Sequence, residues 1–150
     1  MVVNARSVAM NNLYDVFSVY PKCVPFSCTF CHSEAWQIAL AHMSLSDIGA
    51  SDGYTLVTEV ADHWSSREAF CHFLPRMLEL MGKPHFVDTL APELMLEKLA
   101  SMGFSSWHRN EQDAVNRILE ILTLEIPFEC DEDRAEWKAA LALLNVAESF

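Results

Sequence analysis

The chain has 150 residues, of which 51% are apolar and 21% are charged, and its formal net charge is −11 at pH 7. This length suits one domain with a sizeable core, and the composition excludes a disordered or low-complexity chain. The acidic excess argues against binding to nucleic acid or to anionic membranes, and the longest uncharged runs are too short to span a bilayer. Since no secretory signal is visible, we expect a cytoplasmic protein.

Hydrophobic periodicity predicts an all-α protein, because apolar residues recur at helical spacing and Gly and Pro are few. In chain order, the predicted helices are Val8–Tyr20, Ser33–Met43, Tyr54–Trp64, Ser66–Met81, Pro92–Met102, Glu111–Leu124 and a last helix from Asp131 through Leu144. Short connections between them predict one domain over residues 1–150. Its architecture is expected to be an irregular helical bundle or a short HEAT-like stack of about seven helices.

Local signals refine three of these helices. Ser65 with Glu68 three residues later predicts a capping box, and Pro75 inside the same helix predicts a kink or a break. Asp131 is expected to cap the last helix. The β-branched residues of Tyr54–Trp64 are also compatible with a strand, and we interpret this segment as a helix because its neighbours are helices.

The irregular stretch Pro21–His32 holds the densest unusual chemistry, a CxxCH string of Cys28, Cys31 and His32. Covalent haem attachment uses this pattern but occurs outside the cytoplasm. Two thiolates at this spacing are also half a zinc site, with Cys23 or His32 as a third ligand. A redox disulfide is a third possibility, although no strand–helix–strand unit is predicted around it. The favoured interpretation is free thiols packed beside Phe26 and Phe30, with no metal or cofactor.

No set of catalytic residues is convincing in the sequence. The six histidines are scattered without a metal-binding spacing, and the four glycines are too far apart to form a phosphate loop. Cys71 and His72 could form a nucleophile pair, but adjacent residues on a helix point about 100° apart. We therefore expect a protein that is not an enzyme.

The acidic residues are densest around the start of the last helix. This acidic cluster consists of Glu129, Asp131, Glu132, Asp133 and Glu136, and Arg134 is the basic residue within it. Carboxylates at a helix start interact favourably with the helix dipole and increase solubility. The same residues can form a docking patch that speeds the encounter with a basic partner.

Short segments spread over most of the chain carry a resemblance to other proteins. They are Leu13–Phe17 (LYDVF) with Tyr20 and Pro21, Cys28–Cys31 (CTFC), His72–Arg76 (HFLPR), Leu78–Leu80 (LEL) and Leu96–Leu99 (LEKL) followed by Gly103 and Trp107. Together they resemble a set of small, all-helical, uncharacterised bacterial proteins. The resemblance implies an intact single helical domain and carries no established activity, cofactor or catalytic residue.

These observations predict a non-catalytic acidic module that binds a protein partner. Its most concrete form is a cytoplasmic immunity protein or antitoxin that neutralises a basic bacterial toxin domain through the acidic cluster, because such toxins often have basic clefts. A scaffold subunit of a larger helical assembly is one alternative. The other is a zinc-binding regulator or small enzyme that uses Cys23, Cys28, Cys31 and His32.

Overall fold

The computed structural model describes residues 4–83, 91–126 and 128–146, and these ranges form an all-α irregular bundle. The α-helices are α1 (Ala5–Phe17), α2 (Glu34–His42), α3 (Ala50–Thr58), α4 (Arg67–Met81), α5 (Ala91–Ser101), α6 (Arg109–Glu125) and α7 (Asp131–Leu144). Single 3-10 turns lie at Leu45–Asp47, Ala61–His63 and Phe104–Ser106. The all-α prediction is confirmed, and each predicted helix has a counterpart.

Helix α4 lies at the centre of the bundle. Residues 69–78 are all buried, so every face of this helix is covered by neighbouring elements. Helices α1 and α3 pack against α4, α6 packs against α1 and α7, and α5 contacts both α3 and α7. A central helix that is enclosed on all sides is typical of a bundle, since each unit of a helical stack contacts only its sequence neighbours.

The ends and continuity of α4 differ in detail from the prediction. Its N-cap is Ser66, whose Oγ accepts a hydrogen bond from the Ala69 backbone N–H at 3.0 Å. Ser65, the predicted cap, instead donates to the Val24 carbonyl at 2.9 Å. The helix continues through Pro75, so of the predicted kink or break, the break into two helices is wrong. Burial on every face stabilises the helix despite the missing backbone donor.

The start of α3 and the cap of α7 also differ from the prediction. Helix α3 begins at Ala50 rather than Tyr54 and ends at Thr58, and the following Ala61–His63 forms a separate 3-10 turn. The strand alternative for this segment is therefore wrong. Helix α7 begins at Asp131, but no side chain caps it, because its N-cap position is Cys130. Asp131 thus acts only through its charge in the first turn. No helix in the described ranges is long and apolar enough to cross a membrane.

Candidate functional site

An open groove with an apolar floor and an acidic rim lies between α5 and α7. Helical spacing produces it, because residues 93, 96, 97 and 100 share one face of α5, and residues 136, 137, 140, 143 and 144 share one face of α7. The groove has a volume of about 420 Å³. Its rim carries Glu93, Glu97, Glu136 and the exposed Leu143, and its floor includes the buried Leu96, Trp137 and Leu144.

The groove leaves apolar surface open to solvent. Leu143 is 73% exposed, although it lies next to the buried Leu144 in α7. Trp137 is buried in the floor, and its indole N–H donates to Thr123 Oγ1 in α6 at 2.7 Å. This hydrogen bond fixes the floor, whereas Leu143 is free to be covered by another molecule.

The structure brings only part of the acidic cluster to this groove. Glu136 lines the rim, and Glu129, Asp131 and Glu132 are exposed around the start of α7, while Asp133 is half-buried. The Arg134 guanidinium donates to the Thr123 carbonyl and lies over the Phe128 ring, with its central carbon 4.9 Å from the ring centroid. The basic residue within the cluster is therefore directed toward α6 and Phe128.

The other half of the acidic rim was not predicted from the sequence. Glu93 and Glu97 are four residues apart and flank Leu96, so their common helical face was visible in the sequence. Nothing in the sequence paired that face with α7. The tertiary structure places these carboxylates across from Glu136.

The loop that carries the CxxCH string is held by a buried glutamine of α2. Gln37 is 2% exposed, and its Oε1 accepts from the Phe26 backbone N–H at 2.9 Å. Its Nε2 donates to the Cys28 carbonyl at 3.1 Å. The loop is also paired with the chain after α3, since the Ser27 N–H donates to the His63 carbonyl at 2.9 Å. The sequence analysis did not identify Gln37 as the residue that orders this loop.

We expect the Gln37→Leu variant to lose about 1–2 kcal/mol of unfolding free energy, because both hydrogen bonds disappear and the Phe26 N–H stays buried. Urea denaturation of the variant and the wild type measures the difference. The matched control is Gln112→Leu on α6, whose half-buried side chain likewise makes two hydrogen bonds to the backbone, donating to two carbonyls. We expect Gln112→Leu to lose less unfolding free energy, because its amide is less buried. A larger loss in this control than in Gln37→Leu would contradict the expectation that burial increases the cost of losing the hydrogen bonds.

The two thiols of the loop lie side by side at its surface. Their Sγ atoms are 3.4 Å apart, Cys31 is exposed and Cys28 is half-buried. Phe30 is 99% exposed. The expectation that these thiols pack beside Phe26 and Phe30 is therefore wrong, since only Phe26 lies in the core. The thiols and Phe30 lie on a short turn at the protein surface. In the part of the chain that the structure describes, no neighbouring apolar surface is close enough for them to pack against.

Hydrogen bonds make the two thiols unequal. The Cys31 backbone N–H donates to Cys28 Sγ at 3.4 Å. This bond, followed by those from the Cys31 thiol and the Phe30 backbone, lowers the pKa of Cys28. The pKa of Cys31 is raised, chiefly because its thiol hydrogen-bonds to Cys28. Cys28 is therefore the better nucleophile of the pair.

His32 points away from these thiols toward a carboxylate. Its Nε2 contacts Glu59 Oε2, and His63 Nδ1 lies 2.5 Å from Glu59 Oε1. Burial acts to raise the pKa of Glu59, but hydrogen bonds from His32 and His63 outweigh it and hold this pKa below its usual range. The His32 ring also lies 5.3 Å from the Trp36 ring. His32 thus contacts Glu59 and Trp36, on the side of the loop that faces the protein.

The contact of His32 with Glu59 argues against the zinc-binding alternative. Within residues 4–83, 91–126 and 128–146, no group of three His, Cys, Asp or Glu side chains is placed to hold a metal ion. Cys28 and Cys31 lie together, but His32 is bonded to Glu59 instead of completing a site with them. The arrangement supplies two thiol ligands where a closed zinc site needs four.

A buried lysine lies beneath this region and was also missed. Lys98 of α5 is 2% exposed, and its Nζ donates to the Glu59 backbone carbonyl at 3.2 Å. Burial lowers the pKa of Lys98 to about 8, with Glu59 and Glu97 opposing the shift. A cavity of about 210 Å³ lies beside it. Leu94 and Met95, four and three residues before Lys98, were the sequence signal that it lies on an apolar face.

The Cys71–His72 pair lies inside α4. Cys71 is fully buried, and burial raises its pKa to about 12. His72 Nδ1 lies 3.2 Å from the Tyr20 carbonyl, and burial lowers the pKa of the imidazole. Such a thiol is a poor nucleophile at neutral pH, because its reactive thiolate is suppressed.

Comparison of the chain with known protein-family models, with curated proteins and with solved structures finds no match. The fold and the site together define a small all-α protein with an acidic-rimmed apolar groove.

Proposed function

We propose that this protein is a binding module whose α5–α7 groove receives a basic amphipathic helix of a protein partner. The observation that carries this proposal is the combination of an apolar floor with three carboxylates on the rim of one groove. An amphipathic helix binds such a groove by its apolar face. Lysine or arginine residues beside that face would then lie opposite Glu93, Glu97 and Glu136.

The charge of the whole molecule supports a basic partner. The formal net charge is −11, and the exposed carboxylates of the acidic cluster continue the negative surface from the groove to the start of α7. Charges outside a contact area mainly accelerate association, whereas groups inside it determine how long the complex lasts. We therefore assign steering to the acidic cluster and affinity to the groove.

A bacterial toxin domain with a basic surface is the partner class that we favour. An immunity protein or antitoxin of this kind neutralises the toxin by covering the surface that binds nucleic acid or a nucleotide cofactor. The acidic groove would compete for the basic residues that recognise phosphate groups on that surface.

Binding can be measured with a defined peptide. We expect a fluorescently labelled amphipathic helix of leucine and lysine to bind the intact protein, and a leucine–glutamate peptide of equal length not to bind. The double variant Glu93→Lys/Glu136→Lys should weaken binding at least about tenfold, and Leu143→Asp should do the same by adding a charge to the exposed apolar surface of the groove. Fluorescence anisotropy reports the dissociation constants.

The matched control for charge is Asp15→Lys on the exposed side of α1, which should alter affinity less than about twofold. Reversing Asp131 and Glu132 to Lys should slow association and reduce its salt dependence while leaving dissociation nearly unchanged. Equal weakening by the groove variant and the Asp15 control would contradict the groove as the binding site. An association rate constant unaffected by the cluster variant would contradict the steering role.

A further inference from the structure

The CxxC loop places two cysteine thiols next to each other at the protein surface. The Sγ atoms of Cys28 and Cys31 are 3.4 Å apart. Because an S–S bond is about 2.05 Å long, a disulfide forms when the two sulfurs move closer by little more than about 1 Å. Cys31 is exposed, and the neighbouring Phe30 is 99% exposed, so reagents in solution can reach the pair.

The backbone around the thiols is anchored on the side that faces the core. Gln37 holds the Phe26 N–H and the Cys28 carbonyl, and the Ser65 N–H donates to the Pro25 carbonyl at 2.8 Å. The Phe26 ring packs edge-on against Trp64 with centroids 5.0 Å apart. These contacts keep the thiols adjacent, which favours an intramolecular reaction over reaction with a second molecule.

We propose that Cys28 and Cys31 form a reversible dithiol–disulfide site that exchanges with small-molecule disulfides of the glutathione type. Cys28 is the attacking thiol and Cys31 the resolving thiol. This activity is independent of the α5–α7 groove, because it uses other residues and a different ligand.

The exchange balances in two steps. The Cys28 thiolate attacks one sulfur of the small disulfide, whose S–S bond breaks, and one small thiolate leaves. Cys31 then loses its proton, and its thiolate attacks Cys28 Sγ and displaces the second small thiolate. Two electrons pass from the protein dithiol to the small disulfide, and the two protons of the protein thiols end on the two small thiols released.

The assignment of the attacking thiol follows from the hydrogen bonds. The Cys31 backbone N–H stabilises a thiolate on Cys28, and the pKa of Cys28 is lowered while that of Cys31 is raised. Thiol–disulfide exchange proceeds through the thiolate, so Cys28 reacts first. Cys130 is exposed but is not part of this pair, and it serves as the internal reference.

The test uses the full-length wild-type protein with oxidised glutathione at neutral pH, followed by trapping of free thiols and peptide mapping by mass spectrometry. We expect a Cys28–Cys31 disulfide without a retained glutathione, while Cys130 stays free or carries a mixed disulfide. Excess reduced dithiothreitol should restore both thiols. Before oxidation, iodoacetamide should modify Cys28 about tenfold faster than Cys130.

Two variants separate the steps. Cys31→Ser should retain one glutathione on Cys28, because the resolving thiol is absent, and Cys28→Ser should acquire an adduct on Cys31 about tenfold more slowly. The Cys130→Ser control should form the Cys28–Cys31 disulfide at the wild-type rate. Mixed disulfides at Cys28 and Cys130 in equal amounts, without the intramolecular bond, would overturn the proposal. Stoichiometric zinc in protein purified without chelator, lost in Cys28→Ser, would overturn it also, because metal-bound thiolates are held out of exchange.

Discussion

The Glu111→Ala variant is expected to lose about 3 kcal/mol of unfolding free energy, the largest effect of a single substitution that we anticipate. Glu111 is 3% exposed in α6 and accepts hydrogen bonds from Arg67 Nη2 at 3.2 Å and from the Tyr20 hydroxyl. It also accepts from the His108 backbone N–H at 3.3 Å. Truncation leaves three donors without this acceptor, in a region packed against α1 and α4.

The size of this effect follows from the exposure of the remaining charge. Removing one partner of a fully buried ion pair costs about 3–5 kcal/mol, because the other charge stays desolvated. The Arg67 side chain is 30% exposed and its guanidinium lies over the Trp107 ring, 4.8 Å from the centroid. Water and this aromatic face reduce the cost, so the lower end of the range applies.

Urea denaturation monitored by circular dichroism measures the change. The Glu111→Gln variant retains an acceptor for Tyr20 and should lose about half as much. The matched surface control is Glu120→Ala on the same helix, whose side chain is 65% exposed and pairs with Arg117 at 3.6 Å. It should change stability by less than about 0.5 kcal/mol. A Glu111→Ala effect as small as this control would refute the assignment.

The Lys98→Met variant, in contrast, is expected to gain about 2 kcal/mol of stability at pH 7. Burial lowers the pKa of Lys98 from 10.5 to about 8, and each unit corresponds to about 1.4 kcal/mol against the charged form. Methionine avoids this cost with a side chain of similar shape. The lost hydrogen bond to the Glu59 carbonyl offsets about 1 kcal/mol of the gain.

The same substitution should change the pH dependence of stability. Between pH 8 and 10.5 the unfolded wild type keeps a proton on Lys98 that the folded protein has lost, so its stability rises with pH through this window relative to the variant. The stability advantage of Lys98→Met should therefore shrink as pH rises from 8 to 10.5. Denaturation curves of both proteins at several pH values measure this difference. Lys138→Met, at an exposed position of α7, should show no such pH-dependent gain. A constant difference between Lys98→Met and wild type would show that the buried amine keeps an ordinary pKa.

The CxxC loop is linked to Glu59 and Lys98 through His32. Cys31 precedes His32, which binds Glu59, and the backbone carbonyl of Glu59 accepts from Lys98. Since the pKa of Glu59 is lowered in the folded state, this carboxylate contributes stability that is present above its unfolded pKa and is lost as pH falls through its folded pKa. The contacts of Glu59 therefore hold the loop more firmly above the folded pKa of this carboxylate than below it.

The helices themselves were predictable because their signals are local. The apolar spacing of Phe70, Phe73 and Met77 predicts α4 without knowledge of its neighbours. Boundaries were less predictable, since Ser65 and Ser66 are both good caps and only the contact of Ser65 with Val24 selects between them. Continuity through Pro75 depends on burial from all sides, which one segment cannot reveal.

The candidate sites depended more on contacts between distant segments. Glu136 belongs to the acidic cluster that was visible in the sequence. Glu93 and Glu97 lie near Glu136 because α5 packs beside α7, which the sequence did not predict. The CxxC spacing was visible as well, whereas the turn of His32 toward Glu59, 27 residues away in sequence, was not. The apolar face that carries Lys98 was visible in the sequence, whereas its cover by α3 and the following turn was not.

By itself, therefore, the sequence determined the all-α class, the approximate helices, the acidic character and the proximity of Cys28 to Cys31. Each of these depends on residues within a few helical turns of one another. The tertiary structure alone decided the groove, the burial of Lys98 and the partners of Glu59. Those properties arise from packing between segments far apart in the chain, and side-chain periodicity identifies a buried face without identifying what covers it.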